Sequence, residues 1–307
     1  MKVISQVLLW MTVFSGITMN LMAAESYLLV DEESGYILSE KNEETPRQVA
    51  SLTKIATVII VLEWLQETGG AIGQPVTVIG EAVSGGANPL NLKVGDRLPL
   101  ESGLYAAMMA SDNTSAYAIA AAIGQQMKPG TTGPDAVAVF VERMNLLATR
   151  LGLAATRFVN PHGLDGEGAP GTSTAADMAR LAIHADRCPD FGRFCREKEH
   201  KVTFSREGRV REVTLINTNE LVGSRGIDGM KTGTTIRAGQ CLIVSAIGEV
   251  EVKGVKTKRR LIAVVLKSED RFREAVLLLN QGWADLEARL VNGGTIDTND
   301  RLLKEVK

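Results

Sequence analysis

The chain has 307 residues, 45% of them hydrophobic and 23% charged, the make-up of a soluble globular protein long enough to bury a substantial core. Its 34 basic and 36 acidic side chains leave a net charge of -2, so it lacks the global positive field that would point to nucleic acid as a partner. Three histidines without metal-type spacing argue against a catalytic metal, and no cofactor is expected.

At the N-terminus, Met1-Lys2 is followed by an apolar stretch from Val7 to Met22, with Ala23-Ala24 just before Glu25. This layout predicts a secretory leader over residues 1–24, cleaved near Ala24. An uncleaved membrane anchor is the alternative, since the apolar stretch approaches spanning length. Either reading puts the body of the protein outside the cytoplasm, in the periplasm or another extracytoplasmic space. There the odd count of Cys188, Cys195 and Cys241 leaves at least one thiol unpaired, and Cys188 with Cys195 is the locally close pair. A disulfide and two free thiols both remain open for that pair, whereas Cys241, inside the apolar run Cys241-Leu242-Ile243-Val244, reads as a small core residue.

Tyr27-Leu28-Leu29-Val30 and Tyr36-Ile37-Leu38 flank Ser34-Gly35 and predict a β-hairpin. From Ser51 to Glu67 the chain is apolar on nearly every face, which predicts a helix in the interior of a domain. Gly, Pro, Asn and Val dominate from Gly69 to Pro99, giving loops with short extended pieces such as Val76-Thr77-Val78-Ile79. Helical patterns follow at Leu104–Ala110, Thr114–Ile123 and Val137–Leu151, which together read as an inserted helical lobe. Strand character returns in Gly239–Ile247 and Leu261–Lys267, joined by a charged, solvated turn from Glu249 to Arg260. A last amphipathic helix spans roughly Arg271 to Leu290, ahead of a polar tail over 291–307 in which no C-terminal membrane anchor is evident. Strands at both ends with helices between predict an α+β, or mixed α/β, fold: one antiparallel sheet built from both chain ends, with flanking helices.

Three short strings carry the chemistry: Ser51-Leu52-Thr53-Lys54, Ser111-Asp112-Asn113 and Lys231-Thr232-Gly233. A Ser-x-x-Lys arises about once by chance in a chain this long, but the two tripeptides in this order, 60 and 120 residues on, do not. Ser51 and Lys54 at i and i+3 share one helix face, so the amine can reach the hydroxyl. A serine is a weak nucleophile until a base takes its proton, hence Lys54 must be neutral for part of the cycle. Burial and a second cation, Lys231, would both favour that state. Ser51 is expected to open its helix, where free N–H groups favour developing negative charge.

Ser111-Asp112-Asn113 falls between two helical patterns. There the Ser111 hydroxyl can relay a proton between Lys54 and a leaving amine, and the Asn113 amide can hold a substrate backbone. Lys231-Thr232-Gly233 leads into Thr234-Thr235, an extended segment alongside which a substrate backbone can lie as an added strand. Gly233 is expected to permit close approach. Lys231 with the Thr232 and Thr235 hydroxyls would form a patch selecting a free C-terminal carboxylate.

With these strings the chain resembles the low-molecular-mass penicillin-binding proteins, specifically the serine-type D-alanyl-D-alanine carboxypeptidases, from about Ser26 to about Leu290. Further points of similarity are Phe158-Val159-Asn160-Pro161-His162-Gly163-Leu164-Asp165, Ile227-Asp228-Gly229-Met230 ahead of the third string, and Ala238-Gly239-Gln240-Cys241-Leu242 after it. The resemblance implies a catalytic domain over 25–290 that removes the terminal D-alanine from peptidoglycan stem pentapeptides through an acyl-Ser51 intermediate. It also implies that β-lactams acylate the same serine, and that the backbone N–H groups of Ser51 and Thr234 form the oxyanion hole. His162 reads as a structural loop residue. Asp112 stands where many carboxypeptidases have glycine and class A β-lactamases have aspartate. The Glu-x-x-Leu-Asn string of the latter is absent; Glu142-Arg143-Met144-Asn145 lies inside a helical pattern. A non-hydrolytic sensor is the remaining alternative, and its cheap sign, loss of Ser51, Lys54 or Lys231, is not found.

Overall fold

The computed structural model describes residues 22–291, apart from 166, 167, 169 and 253, together with residue 303. Most of the expected leader and polar tail therefore lies outside the described residues. The chain opens with the predicted hairpin, β1 (Ser26–Asp31) and β2 (Ile37–Lys41), whose turn uses Gly35 at φ 70°. It closes with β7 (Ile227–Thr235), β8 (Gly239–Val252), β9 (Val255–Ser268) and α6 (Arg271–Val291). These strands form one antiparallel sheet in the order β2-β1-β9-β8-β7, so both ends of the sequence meet in its centre, as expected.

The sheet is buried on both faces, and the strands show it in their period of two. Leu28 and Val30 of β1 and Ile262, Val264 and Leu266 of β9 join the larger core on the helical side. Tyr27 and Leu29, with Leu261, Ala263 and Val265, face α6 through Ala275, Leu278 and Leu279. A strand buried on both sides reads as a continuous apolar run, which is why Leu261–Leu266 was legible.

The larger core is organised by α1 (Lys54–Thr68), ten of whose 15 residues are buried. Around it pack α2 (Leu100–Met109), α3 (Asn113–Met127), α4 (Gly133–Arg150) and α5 (Ala175–Arg187). A second, four-stranded sheet has the order β3-β4-β5-β6, from β3 (Pro75–Thr77), β4 (Arg97–Pro99), β5 (Glu199–Arg206) and β6 (Arg209–Ile216). Of that sheet only the extended piece at Val76–Thr77 is expected from the sequence; its other strands and α5 are not. The charged turn expected from Glu249 to Arg260 is also corrected: most of it is ladder, with Glu249 opposite Lys258 and Glu251 opposite Lys256. Opposite charges face each other across that ribbon, and Val250 within it is buried against the cluster under α6.

Candidate active site

Ser51 sits in a tight 3₁₀ turn, Ala50–Thr53, and the α-helix begins only at Lys54. The expectation that Ser51 opens the α-helix is thus corrected by three residues. The turn is held from outside. Ala50 adopts a left-handed φ of 49°, and its carbonyl lies so near Gly163 that a Cβ there would stand 1.9 Å from it. From the other side β7 closes on the same turn: a Cβ on Gly233 would be 2.8 Å from the Val49 carbonyl and 3.0 Å from the Ser51 nitrogen. The close approach that Gly233 permits is therefore, in the first place, that of the turn carrying Ser51.

Lys54 is fully buried, and its Nζ lies 2.8 Å from Ser51 Oγ, 2.6 Å from Asn113 Oδ1 and 3.1 Å from the His162 carbonyl. Two of these partners can only accept. A neutral amine has two N–H donors and one lone pair, so bonding both acceptors turns the lone pair toward the Ser51 hydroxyl. Burial holds the Lys54 pKa well below the usual lysine value, and the Lys231 charge lowers it further against an opposing pull from Asp112. Lys231 itself is 1% exposed, donates to the Thr232 carbonyl at 3.1 Å, and is brought down to about 7 by burial and then by the Arg271 charge. In Lys231→Met this repulsion is gone. The acidic limb of the pH profile for acylation by penicillin is then expected to move to higher pH, and an unmoved limb would disprove the coupling.

The second string lies on the connection between α2 and α3. Ser111 takes a left-handed φ of 59°, a conformation that costs a non-glycine residue about 1–3 kcal/mol and persists only where its surroundings impose it. Asp112 caps α3, accepting from Ser115 N at 2.7 Å and Leu90 N at 3.3 Å, and burial raises its pKa. Asn113 is 2% exposed. Its N–H donates to the Ala87 carbonyl at 2.8 Å, its side-chain oxygen holds Lys54, and its amide nitrogen faces the Gly86 loop, where a Cβ would stand 2.8 Å away.

In the third string, β7 is an edge strand, as expected. Its hydroxyls divide: Thr232 Oγ1 bonds Thr218 Oγ1 at 2.7 Å, and Thr235 Oγ1 accepts from Ala238 N at 3.0 Å, closing the turn into β8. Thr234 is exposed, and its Oγ1 accepts from Arg271 at 2.8 Å; the same guanidinium donates to the Gly233 carbonyl at 3.1 Å. Arg271 was missed by the sequence reading. A cation opening a helix, against the dipole, was the signal available.

His162 is structural, as expected: its Nδ1 accepts from Leu164 N at 3.2 Å, and burial with the nearby Lys54 charge brings it down to about 3. The open question at Cys188 and Cys195 resolves as two free thiols, and Cys241 is fully buried. Burial pushes the three thiols up to about 11, 12 and 11, which keeps them protonated at neutral pH. Among the described residues no cluster of His, Cys, Asp and Glu could hold a metal ion.

A mixed α/β fold that brings a buried lysine amine to 2.8 Å from a serine hydroxyl, with an edge strand carrying a second buried lysine beside it, is the arrangement a serine hydrolase with a lysine base requires. The chain belongs to the Peptidase_S11 family, D-alanyl-D-alanine carboxypeptidase, whose model matches residues 16–270. It is 32% identical over 243 residues to D-alanyl-D-alanine carboxypeptidase DacF of Bacillus subtilis (strain 168), covering 79% of this chain and 57% of that one. To DacC of Escherichia coli (strain K12) it is 33% identical over 279 residues, covering 86% and 62%. The chain thus spans about three fifths of those relatives' length. The crystal structure of the Streptomyces K15 DD-transpeptidase matches with a TM-score of 0.74 at 29% identity, over 86% of this chain and 98% of that one.

Proposed function

We propose that the protein is a serine-type D-alanyl-D-alanine carboxypeptidase, exported across the membrane, that trims peptidoglycan stem pentapeptides and is acylated by β-lactams. The observation that carries this reading is the Lys54 amine 2.8 Å from Ser51 Oγ with both of its donors engaged elsewhere. Lys54 takes the hydroxyl proton as Ser51 attacks the penultimate D-alanine carbonyl. The N–H groups of Ser51 and Thr234 receive the negative oxygen, an arrangement supported by the closeness of Gly233 to the Ser51 nitrogen. Ser111 hands the proton to the departing amine, the C–N bond breaks, and water then hydrolyses the acyl-serine. Asn113 acts by orienting Lys54 and Lys231 by lowering its pKa. The leaving residue's carboxylate is held at the open edge by Arg271, with Thr234 and Thr232 beside it and Thr235 shaping the strand end.

A β-lactamase needs a further carboxylate to drive water onto the acyl group. Asp112, the carboxylate that acts on Lys54, has one oxygen on Ser115 N and the other on Leu90 N, as a helix cap. Release of free D-alanine from a peptide ending in D-Ala-D-Ala, with negligible nitrocefin turnover, is the expected result; turnover of nitrocefin without D-alanine release would overturn the reading. Arg271→Ala is expected to lower kcat/KM about 10- to 100-fold for the free acid, from the loss of about 1.5–3 kcal/mol of charged hydrogen bonding. The C-terminal amide of the same peptide should lose far less, and equal losses would rule out carboxylate recognition by Arg271.

A further inference from the structure

Glu274 lies in the first turn of α6, on the face of the sheet away from the catalytic cleft, and is 2% exposed. Its two oxygens accept successive backbone amides, Oε1 from Ala23 N and Oε2 from Ala24 N, each at 2.9 Å. Among the described residues no cation pairs with it. Ala24 is fully buried in the apolar cluster beneath α6, and its carbonyl accepts from Lys41 Nζ at 2.9 Å, while Ala23 is exposed. The point where the apolar leader gives way to the body of the protein is therefore seated on a buried acid. A buried carboxylate answered by two neutral donors is under-compensated, whereas an ammonium at the same place supplies charge as well as hydrogen bonds.

We infer that Glu274 is a receptor for the chain's own processed amino terminus, created by a cut between Ala23 and Ala24. Hydrolysis of that amide sends the Ala23 carboxylate away with the leader and leaves Ala24 with an α-ammonium. Its nitrogen stays 2.9 Å from Oε2, and a second N–H replaces the lost Ala23 amide on Oε1. A cut after Ala24 would strip both donors from Glu274 and empty a fully buried position. A cut after Met22 would place a large residue where leader removal favours a small one. The inference rests on export and not on the peptidase chemistry.

Intact mass of the full chain recovered from an exporting cell tests the cut: the expected first residue is Ala24, and any other first residue overturns the assignment. Adding penicillin to the same sample reads acylation separately, so failure of the peptidase reading shows as an unshifted mass with the cut still in place. Capture is tested by Tm in two forms, the exported protein and one made without export that carries two extra residues ahead of Ala24. Glu274→Gln is expected to cost the exported form about 4 °C more than the extended one. Should the variant not fold, the extension alone is expected to lower the Tm of the unsubstituted protein by about 2 °C or more. Equal values in the two forms overturn the capture.

Discussion

Ser51→Ala is expected to abolish covalent labelling by penicillin and D-alanine release together, leaving the fold intact. The hydroxyl makes one contact of consequence, the 2.8 Å approach of Lys54 Nζ, and that amine keeps both of its acceptors when the hydroxyl is removed. The 3₁₀ turn around it is fixed by backbone packing against Gly163 and Gly233, to which the serine side chain contributes nothing. The Tm should therefore move by no more than about 2–4 °C, the equivalent of about 1 kcal/mol. Intact mass after exposure to penicillin checks the chemistry, and any residual adduct would take the nucleophile's role from Ser51.

Lys54→Met should cost about 10²- to 10⁴-fold in the rate of acylation, the usual contribution of a positioned general base. Stability sets the two effects of this substitution against each other. Replacing a desolvated amine by an apolar chain of similar volume gains about 1–4 kcal/mol. Leaving Asn113 Oδ1 and the His162 carbonyl without their donor costs about 1–3 kcal/mol each. The two costs together outweigh the gain by about 1–2 kcal/mol at their centres, a modest destabilisation, so activity is lost from a protein that still folds. The pH dependence has a definite sign. A lysine whose pKa is depressed in the fold has released a proton that the unfolded chain still binds, so stability rises with pH across that interval. For Lys231 the interval runs from about 7 to 10.5: the cost of its burial is full below about 7 and fades toward 10.5. A denaturation series from pH 6 to 10 comparing Lys54→Met with the unsubstituted protein should therefore show the parent gaining more with pH; parallel curves would mean that Lys54 is charged in the fold.

What could be read from the sequence was whatever announced itself by local chemistry. The interior helix from Ser51, the strand Leu261–Leu266 and the terminal helix from Arg271 were legible because burial on all sides, or on one face, leaves a pattern within a few residues. The helix at Ala175–Arg187 carried its own signal in Thr174 and Asp177, whose hydroxyl and N–H cap it at 3.0 Å, and the hairpin Glu199–Ile216 carried Glu207-Gly208 at its turn. The place of Arg271 was of another kind: it meets Gly233 and Thr234 across 37 or 38 residues of chain, through a strand and a helix whose relative pose no short-range pattern encodes. The same holds for the 3₁₀ turn at Ser51, which is imposed by glycines 112 and 182 positions further along.

The strand order adds a temporal dimension to this geometry. Since β7 reaches β1 only through β8 and β9, the edge strand beside Ser51 has no attachment through the sheet to the N-terminal hairpin until residue 268 has been synthesised and has emerged. A nascent or truncated chain ending short of that point carries serine, lysine and the β7 edge that packs on their turn, but lacks the strand that ties this edge to the hairpin. On the proposed function, a ladder of stalled chains is expected to take up penicillin fully only once the last strand slots between the first and the eighth.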